Sequence, residues 1–172
     1  EDKLREVLGA RDGKIFGIDL CEAGASERLF TMVTDCGYQP DIIVNAAGIN
    51  PRLHADKIDE EMWTYTVHLN LNVPFLVAQK FVPGMKANGW GRIINIASMQ
   101  SNRAFPNGIS YGSAKGGVTQ LTRAMAEAWS AHGITANAIA PGFFPTELTA
   151  PLFEDPKTAA DLASRTAMGR NG

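Results

Sequence analysis

The chain has 172 residues, of which 45% are hydrophobic and 20% charged. That balance excludes a disordered tail, a collagen-like fibre and a disulfide-stapled mini-protein, and it suggests one globular domain. Lys and Arg number 16 against 18 Asp and Glu, a net charge of −2, so no basic field exists to attract nucleic acid or anionic lipid.

Two cysteines, Cys21 and Cys36, are too few for a disulfide framework and lack metal-ligand spacing. No apolar run is long enough to span a bilayer, and Glu1 to Glu6 do not read as a signal peptide. A reducing, cytoplasmic setting without membrane or nucleic-acid partners is expected. His54, His68 and His132 lie on separate segments, so no metal site is expected.

The elements alternate. Leu4, Val7 and Leu8 form the apolar face of a helix end stopped by Gly9. After the Asp12-Gly13 turn signal, residues Lys14 to Leu20 read as a strand. Leu29, Phe30 and Val33 recur at helical spacing, and Gly37 closes that helix. Asp41 to Val44 is a short β-branched strand ending in Asn45-Ala46-Ala47-Gly48.

A loop through Asn50 to His54 leads to a long helix expected from Asp59. It carries Trp63, Val67, Leu71, Phe75 and Phe81, is interrupted by Pro74 and Pro83, and ends between Gly89 and Gly91. Arg92 to Ala97 is the next strand, with Ser98 at its edge. A helix from about Ser110 to His132 is closed by Gly133. Ile134 to Ala140 is a further strand, ended by Pro141-Gly142. The tail through Pro151 and Pro156 reads as loop with one short helix.

Apolar strands alternating with helices argue an α/β fold with a parallel sheet covered on both faces. Ligands then bind outside the carboxyl ends of the strands. The chemistry-bearing residues sit at such ends. Tyr111 and Lys115 share one helix face at i,i+4 spacing. An ammonium beside a phenol lowers the phenol's pKa toward the range useful for acid–base work. Taken alone, the pair also reads as an ordinary surface pair, and Ser98 as a turn cap. Pro74 has no N–H to give the Asn70 carbonyl. Asn70 therefore marks either a simple kink on a polar face or a buried carbonyl that needs a water.

Asn45-Ala46-Ala47-Gly48, Asn70, Ser98, Tyr111-Gly112-Ser113-Ala114-Lys115 and Pro141-Gly142-x-x-x-Thr146, in this order, resemble the short-chain dehydrogenase/reductase family. The resemblance implies a Rossmann-like three-layer sandwich and NAD or NADP as cofactor. It implies a hydride transfer between the nicotinamide and a secondary alcohol or ketone. In that scheme Tyr111 is the acid/base, Lys115 lowers its pKa and holds the ribose hydroxyls, Ser98 bonds the substrate oxygen, and the Asn70 carbonyl holds a relay water.

The resemblance further implies cofactor contacts at Asp19, Leu20, Asn45, Ala46, Ala47, Gly48, Pro141, Gly142, Phe144 and Thr146. Phe144 stands where a β-branched aliphatic is commoner. The family's Gly-rich pyrophosphate turn is not found, so the chain is expected to be a partial NAD(P)-binding domain over residues 1–172. It would lack the first βαβ unit and the last strand, stand poorly stable alone, and bind dinucleotide weakly.

The sequence character of Gly48-Ile49-Asn50, Ile93 to Ser98 and Glu127-Ala128-Trp129 is similar to sugar-acid and polyol dehydrogenases of the family, of the gluconate 5-dehydrogenase and 2-dehydro-3-deoxygluconate 5-dehydrogenase kinds. Arg52 reads either as a solvated loop arginine or as a bidentate partner for a substrate carboxylate. Gln100 and Asn107 are further candidate lining residues. The rival readings are a 3-oxoacyl-thioester reductase of the same family and a non-catalytic dimerisation or scaffolding module. The resemblance implies a homodimer or homotetramer joined through the two long helices.

Overall fold

The computed structural model describes residues 13–146 and 149–172. The expected helix end at Leu4 to Gly9, and Asp12 of the first turn, lie outside them. The described elements are α1 (Ala25–Asp35), β1 (Ile42–Asn45), α2 (Glu60–Val67), α3 (Val73–Asn88), β2 (Gly91–Ile96), α4 (Ile109–Trp129), β3 (Ile134–Ile139), α5 (Ala150–Phe153) and α6 (Pro156–Ser164).

The three strands form one parallel sheet in the order β1-β2-β3. Ile43 sits opposite Ile93, and Ile93 opposite Ala136. Because side chains alternate along a strand, this register puts Ile43, Ile93 and Ala136 on one face, and all three are buried. That face lies against the core formed with Val73, Val77, Ala78, Phe81, Val82 and Met85 of α3 and Met125 of α4. The opposite face carries Ile42 and Val44, each 55% exposed, and Ile139 at 52%. Of the expected three layers, the described residues build the sheet and the helix layer on one side.

Residues Lys14 to Leu20 are not a strand. A strand needs a neighbour for its N–H and C=O groups, and among the described residues β1 pairs only with β2. Asp19 instead starts a turn, its carboxylate accepting the Cys21 N–H at 2.8 Å.

The helix ends follow local chemistry. Asp59 caps α2 by accepting the Met62 N–H at 2.8 Å, as Asp and Asn at this position do. Gly89 and Gly133 close α3 and the turn after α4 in left-handed geometry, at φ 65° and 76°. A Cβ on Gly133 would sit 2.0 Å from the Gly89 carbonyl oxygen, so only glycine fits that crossing.

Pro74 and Pro83 behave differently. At Pro74 the chain takes a π-helical segment, His68–Asn72, and the Val73 N–H reaches back to the His68 carbonyl. The wider turn accommodates a proline that cannot serve Asn70. Pro83, by contrast, lies inside an unbroken α3. Pro83 and Gln79, whose carbonyl it leaves without a donor, are both exposed, so solvent serves that carbonyl. The tail holds two short helices rather than one. The second is capped by Asp155, which accepts from Lys157 and Thr158 N–H groups.

Candidate active site

Ser98 closes the strand end after β2 and caps a single 3-10 turn, Met99–Ser101. Its hydroxyl oxygen accepts the Gln100 N–H at 3.1 Å, and the Ser98 N–H donates to the Ser101 hydroxyl at 3.2 Å. This turn packs beside glycines of α4, and its Gln100 side chain needs the bare Gly108 ahead of the helix, where a Cβ would meet Oε1 at 2.2 Å. A Cβ on Gly112 would stand 3.6 Å from the Gln100 carbonyl oxygen, and one on Gly116 3.6 Å from that of Ser101. On its other side Gly117 gives room to Leu71, whose side chain a Cβ would meet at 2.8 Å. The small residues around Tyr111 and Lys115 therefore admit a turn and a helix.

Tyr111 and Lys115 are both buried, at 9% and 4% exposure. The Lys115 ammonium donates to the Ile96 carbonyl at 2.6 Å and lies 5.6 Å from the centre of the Tyr111 ring. It faces the ring rather than the hydroxyl, and this corrects the expected electrostatics. Burial pushes the Tyr111 phenol above its ordinary range. The groups that pull it down are Ser98, as a hydrogen-bond partner, and the nearby Arg52 guanidinium. Lys115 is not among them. Burial in turn brings Lys115 down to about 8, because an ammonium loses more hydration than its amine.

A cavity of about 440 Å³ opens beside this pair, lined by Arg52, Ser98, Gln100, Tyr111, Pro141, Gly142, Phe144 and Thr146 among others. The structure thus gathers eight of the expected residues around one space. Asn50, Met99, Phe105, Phe143 and Thr149 line it too and were not expected. Phe105 and Phe143 meet edge-on, with ring centres 6.2 Å apart. Arg52 has φ 53°, a left-handed backbone uncommon for a residue with a side chain.

Asn107 does not reach this cavity. It lines a neighbouring one of about 670 Å³ with His54 and Arg103, and its own backbone is left-handed, at φ 56°. Gln100 borders both cavities.

Asn70 and Gly48 lie behind the cavity beside Lys115. Asn70 is 1% exposed, which removes the polar-face reading. Its amide donates to the Ile49 and Thr66 carbonyls at 2.9 and 2.8 Å, and its Oδ1 is buried without a partner. A Cβ on Gly48 would lie 2.5 Å from that Oδ1 and 3.7 Å from Lys115 Nζ, so only glycine fits beside them.

The remaining expected contacts lie elsewhere. Leu20, Asn45, Ala46 and Ala47 border a depression of about 260 Å³ by β1 and α3. The Asn45 amide points inward, donating to Asn95 Oδ1 at 2.8 Å and to the Pro74 carbonyl at 3.4 Å. Asn95, fully buried, passes the chain on to Thr122 of α4 at 2.9 Å. Sequence reasoning missed Asn95, since nothing in a strand marks an asparagine as interior. It also missed Ser101, although Ser98-x-x-Ser101 has the spacing of a reciprocal cap.

Residues 2–157 match the model of the short chain dehydrogenase family. The chain belongs to the short-chain dehydrogenases. Gluconate 5-dehydrogenase of Gluconobacter oxydans is 39% identical over 77% of this chain and 52% of its own length. The 2-dehydro-3-deoxy-D-gluconate 5-dehydrogenase of Bacillus subtilis is 42% identical over 97% and 66%. A crystal structure of a gluconate 5-dehydrogenase from Burkholderia cenocepacia in complex with NADP and tartrate superposes with a TM-score of 0.88. It is 36% identical and covers 99% of this chain and 66% of that one. This short-chain dehydrogenase chain therefore spans about half to two thirds of the length of those relatives.

Among its described residues no helix is long and apolar enough to cross a membrane, and no three His, Cys, Asp or Glu side chains cluster as metal ligands.

Proposed function

We propose that this chain carries the proton-handling half of an NAD(P)-dependent oxidoreductase that interconverts a secondary alcohol and a ketone on a sugar acid. One observation carries the reading: Ser98, Tyr111 and Arg52 converge on a single cavity, with the Arg52 guanidinium close enough to bias the Tyr111 phenol. A hydroxyl, a phenol and a planar cation suit a substrate with a reacting oxygen at one end and a carboxylate at the other. The left-handed backbone of Arg52 holds its side chain at a cost a solvated loop residue has no reason to bear.

The residues present fit a ribose-bearing cofactor. Lys115 uses one ammonium N–H on the Ile96 carbonyl, and the unpartnered Asn70 Oδ1 and the bare Gly48 adjoin it. Its other N–H groups suit ribose hydroxyls, and Pro141, Gly142, Phe144 and Thr146 suit the nicotinamide side. Asp19, Leu20 and the Asn45 to Gly48 turn would serve the adenosine side. When bound, the nicotinamide accepts or donates the hydride at the substrate carbon.

The chain's own residues manage the proton. Ser98 accepts the Gln100 N–H and bonds the Tyr111 phenol, so its O–H sits beside the phenol where a substrate oxygen between them would take it up. In ketone reduction the hydride arrives at carbon and the Tyr111 phenol gives its proton to oxygen. In alcohol oxidation the phenolate takes that proton back. The Asn70 carbonyl, which Pro74 cannot serve, is the proposed holder of a relay water. Because burial raises the phenol's pKa, Tyr111 is protonated at neutral pH, and alcohol oxidation rises with pH as the phenolate forms.

The test follows absorbance of the reduced nicotinamide with D-gluconate and either dinucleotide. Tyr111→Phe is expected to lower the rate by about 10²- to 10⁴-fold, the usual worth of a positioned acid/base. Arg52→Ala is expected to raise KM for the sugar acid and to spare neutral polyols. A second reading, reduction of 3-oxoacyl thioesters, rests on the Phe105–Phe143 wall, which suits an acyl chain. Turnover of acyl thioesters that survives Arg52→Ala would favour it. The reading also carries a cytoplasmic homodimer or homotetramer joined through α3 and α4, which light scattering tests. Loss of oxidation by both dinucleotides across all sugar acids and polyols would return the chain to a scaffolding role.

A further inference from the structure

Ser98 and Lys115 come from different elements, and beside the Lys115 ammonium's bond to the Ile96 carbonyl a hydroxyl joins their backbones. The Ser101 hydroxyl accepts the Ser98 N–H at 3.2 Å and donates to the Lys115 carbonyl at 2.7 Å. We infer that Ser101 is a positioning residue: its hydroxyl locks the strand end that carries Ser98 to the turn of α4 that carries Lys115. The inference draws its kinetic consequence from the proposed reaction, but its geometry does not depend on it.

Three features make the hydroxyl more than a turn cap. The two bonds use both halves of its capacity, one as acceptor and one as donor, so its orientation is set from both sides. The 3-10 turn it ends lies in ordinary contact with α4 at Gly112 and Gly116, and besides the Gln100 side chain against Gly108 and the Lys115 ammonium on Ile96, the Ser101 hydroxyl is what ties the turn to the helix backbone. Thr119 also donates to the Lys115 carbonyl, at 3.2 Å, but it belongs to α4 itself and cannot tie the helix to the strand end.

Removing the Ser101 hydroxyl strands the Ser98 N–H and loosens the turn from the Lys115 backbone, leaving the ammonium on Ile96 to tie α4 to that strand end. The Ser98 side chain then drifts from Tyr111. The groups that face Tyr111 are Ser98, Arg52 and the Lys115 ammonium under its ring, and of these Ser98 and Arg52 hold its phenol down.

The experiment reads Tyr111 directly, in the chain without cofactor. Ultraviolet titration of phenolate is recorded for wild type, Ser101→Ala and Ser101→Thr, each against its own Tyr111→Phe partner to isolate Tyr111 from Tyr38 and Tyr65. Ser101→Ala is expected to shift the Tyr111 midpoint upward, in the same direction as Ser98→Ala. Ser101→Thr keeps the hydroxyl and restores the wild-type midpoint. A wild-type midpoint in Ser101→Ala, beside a shifted one in Ser98→Ala, overturns the inference.

If circular dichroism finds Ser101→Ala unfolded, Ser101→Cys takes its place. It keeps the volume and weakens both bonds, and an unshifted midpoint there is equally fatal. In turnover, Ser101→Ala is expected to lower kcat roughly ten- to hundred-fold, as a misplacement of about 1 Å does. Absence of turnover in the wild-type chain would sink the proposed reaction and leave the titration to decide the role of Ser101.

Discussion

The centre of the sheet and its β1 edge are built to different standards. On the β2–α4 side Ile93, Asn95, Ser110 and Lys115 are almost wholly buried, and Asn95 is hydrogen-bonded on to Thr122. On the outer face, β1 presents Ile42 and Val44 more than half exposed, and residues 14–19 ahead of α1 form no strand. Sequence character does not separate the two, since Asp41 to Val44 is as β-branched and apolar as Arg92 to Ala97. Packing separates them: β2 has a strand on each side and helices below, whereas β1 has one strand among the described residues. A stretch of chain thus becomes a rigid platform for chemistry only where neighbours close around it.

The largest expected effect contrasts Ile93→Ala with Val44→Ala. The first should cost about 2–5 kcal/mol by leaving a cavity in a filled core, and the second less than about 1 kcal/mol at an exposed site. Urea denaturation monitored by circular dichroism measures both, and equal losses would break the comparison.

Lys115 sharpens it through pH. Its folded-state pKa of about 8 lies below the unfolded 10.5, so the unfolded chain binds the extra proton between those values. Stability therefore rises with pH across that window. Burying the charged form at pH 7 costs on the order of 3 kcal/mol. Lys115→Met should exceed wild type in stability at pH 7, and that advantage should shrink by about 2 kcal/mol by pH 10. A gap that stays constant with pH would mean the ammonium is not desolvated.

The asparagines give a smaller contrast. Asn95→Ala breaks the chain from Asn45 to Thr122 and should cost about 2 kcal/mol. Asn137→Ala, on the exposed side of β3, should stay within about 0.5 kcal/mol. The smallest effect on stability is expected at β1. Ile42→Lys should leave it within about 0.5 kcal/mol while reducing concentration-dependent self-association, because an apolar edge strand is a template for pairing. Light scattering checks the second half of that statement.

Much of this was legible before any coordinates. The β-branched runs marked β1, β2 and β3, Asp59 marked the start of α2, and Gly133 marked the end of the α4 segment. Each is a local signal, carried by a side chain acting on its own backbone. Spacing placed Tyr111 and Lys115 on one helix face and Ser98 at a strand end, while their grouping with Asn70 into one site came from the family resemblance of their order. The missing backbone donor at Pro74 was likewise local, and a π-helical segment, His68–Asn72, lies just ahead of it.

What tertiary structure alone decided are the quantities that depend on surroundings. Lys14 to Leu20 has the composition of a strand, but a ladder needs a second chain segment beside it. Tyr111 and Lys115 have the spacing to couple through charge, but Lys115 lies under the ring and burial outweighs attraction, so the phenol's pKa moves up. Propensity, capping and proline chemistry act through covalent neighbours and can be read from order alone. Desolvation, strand pairing and the hydroxyl bridge of Ser101 depend on which distant residues come to lie alongside, and only the folded chain fixes that.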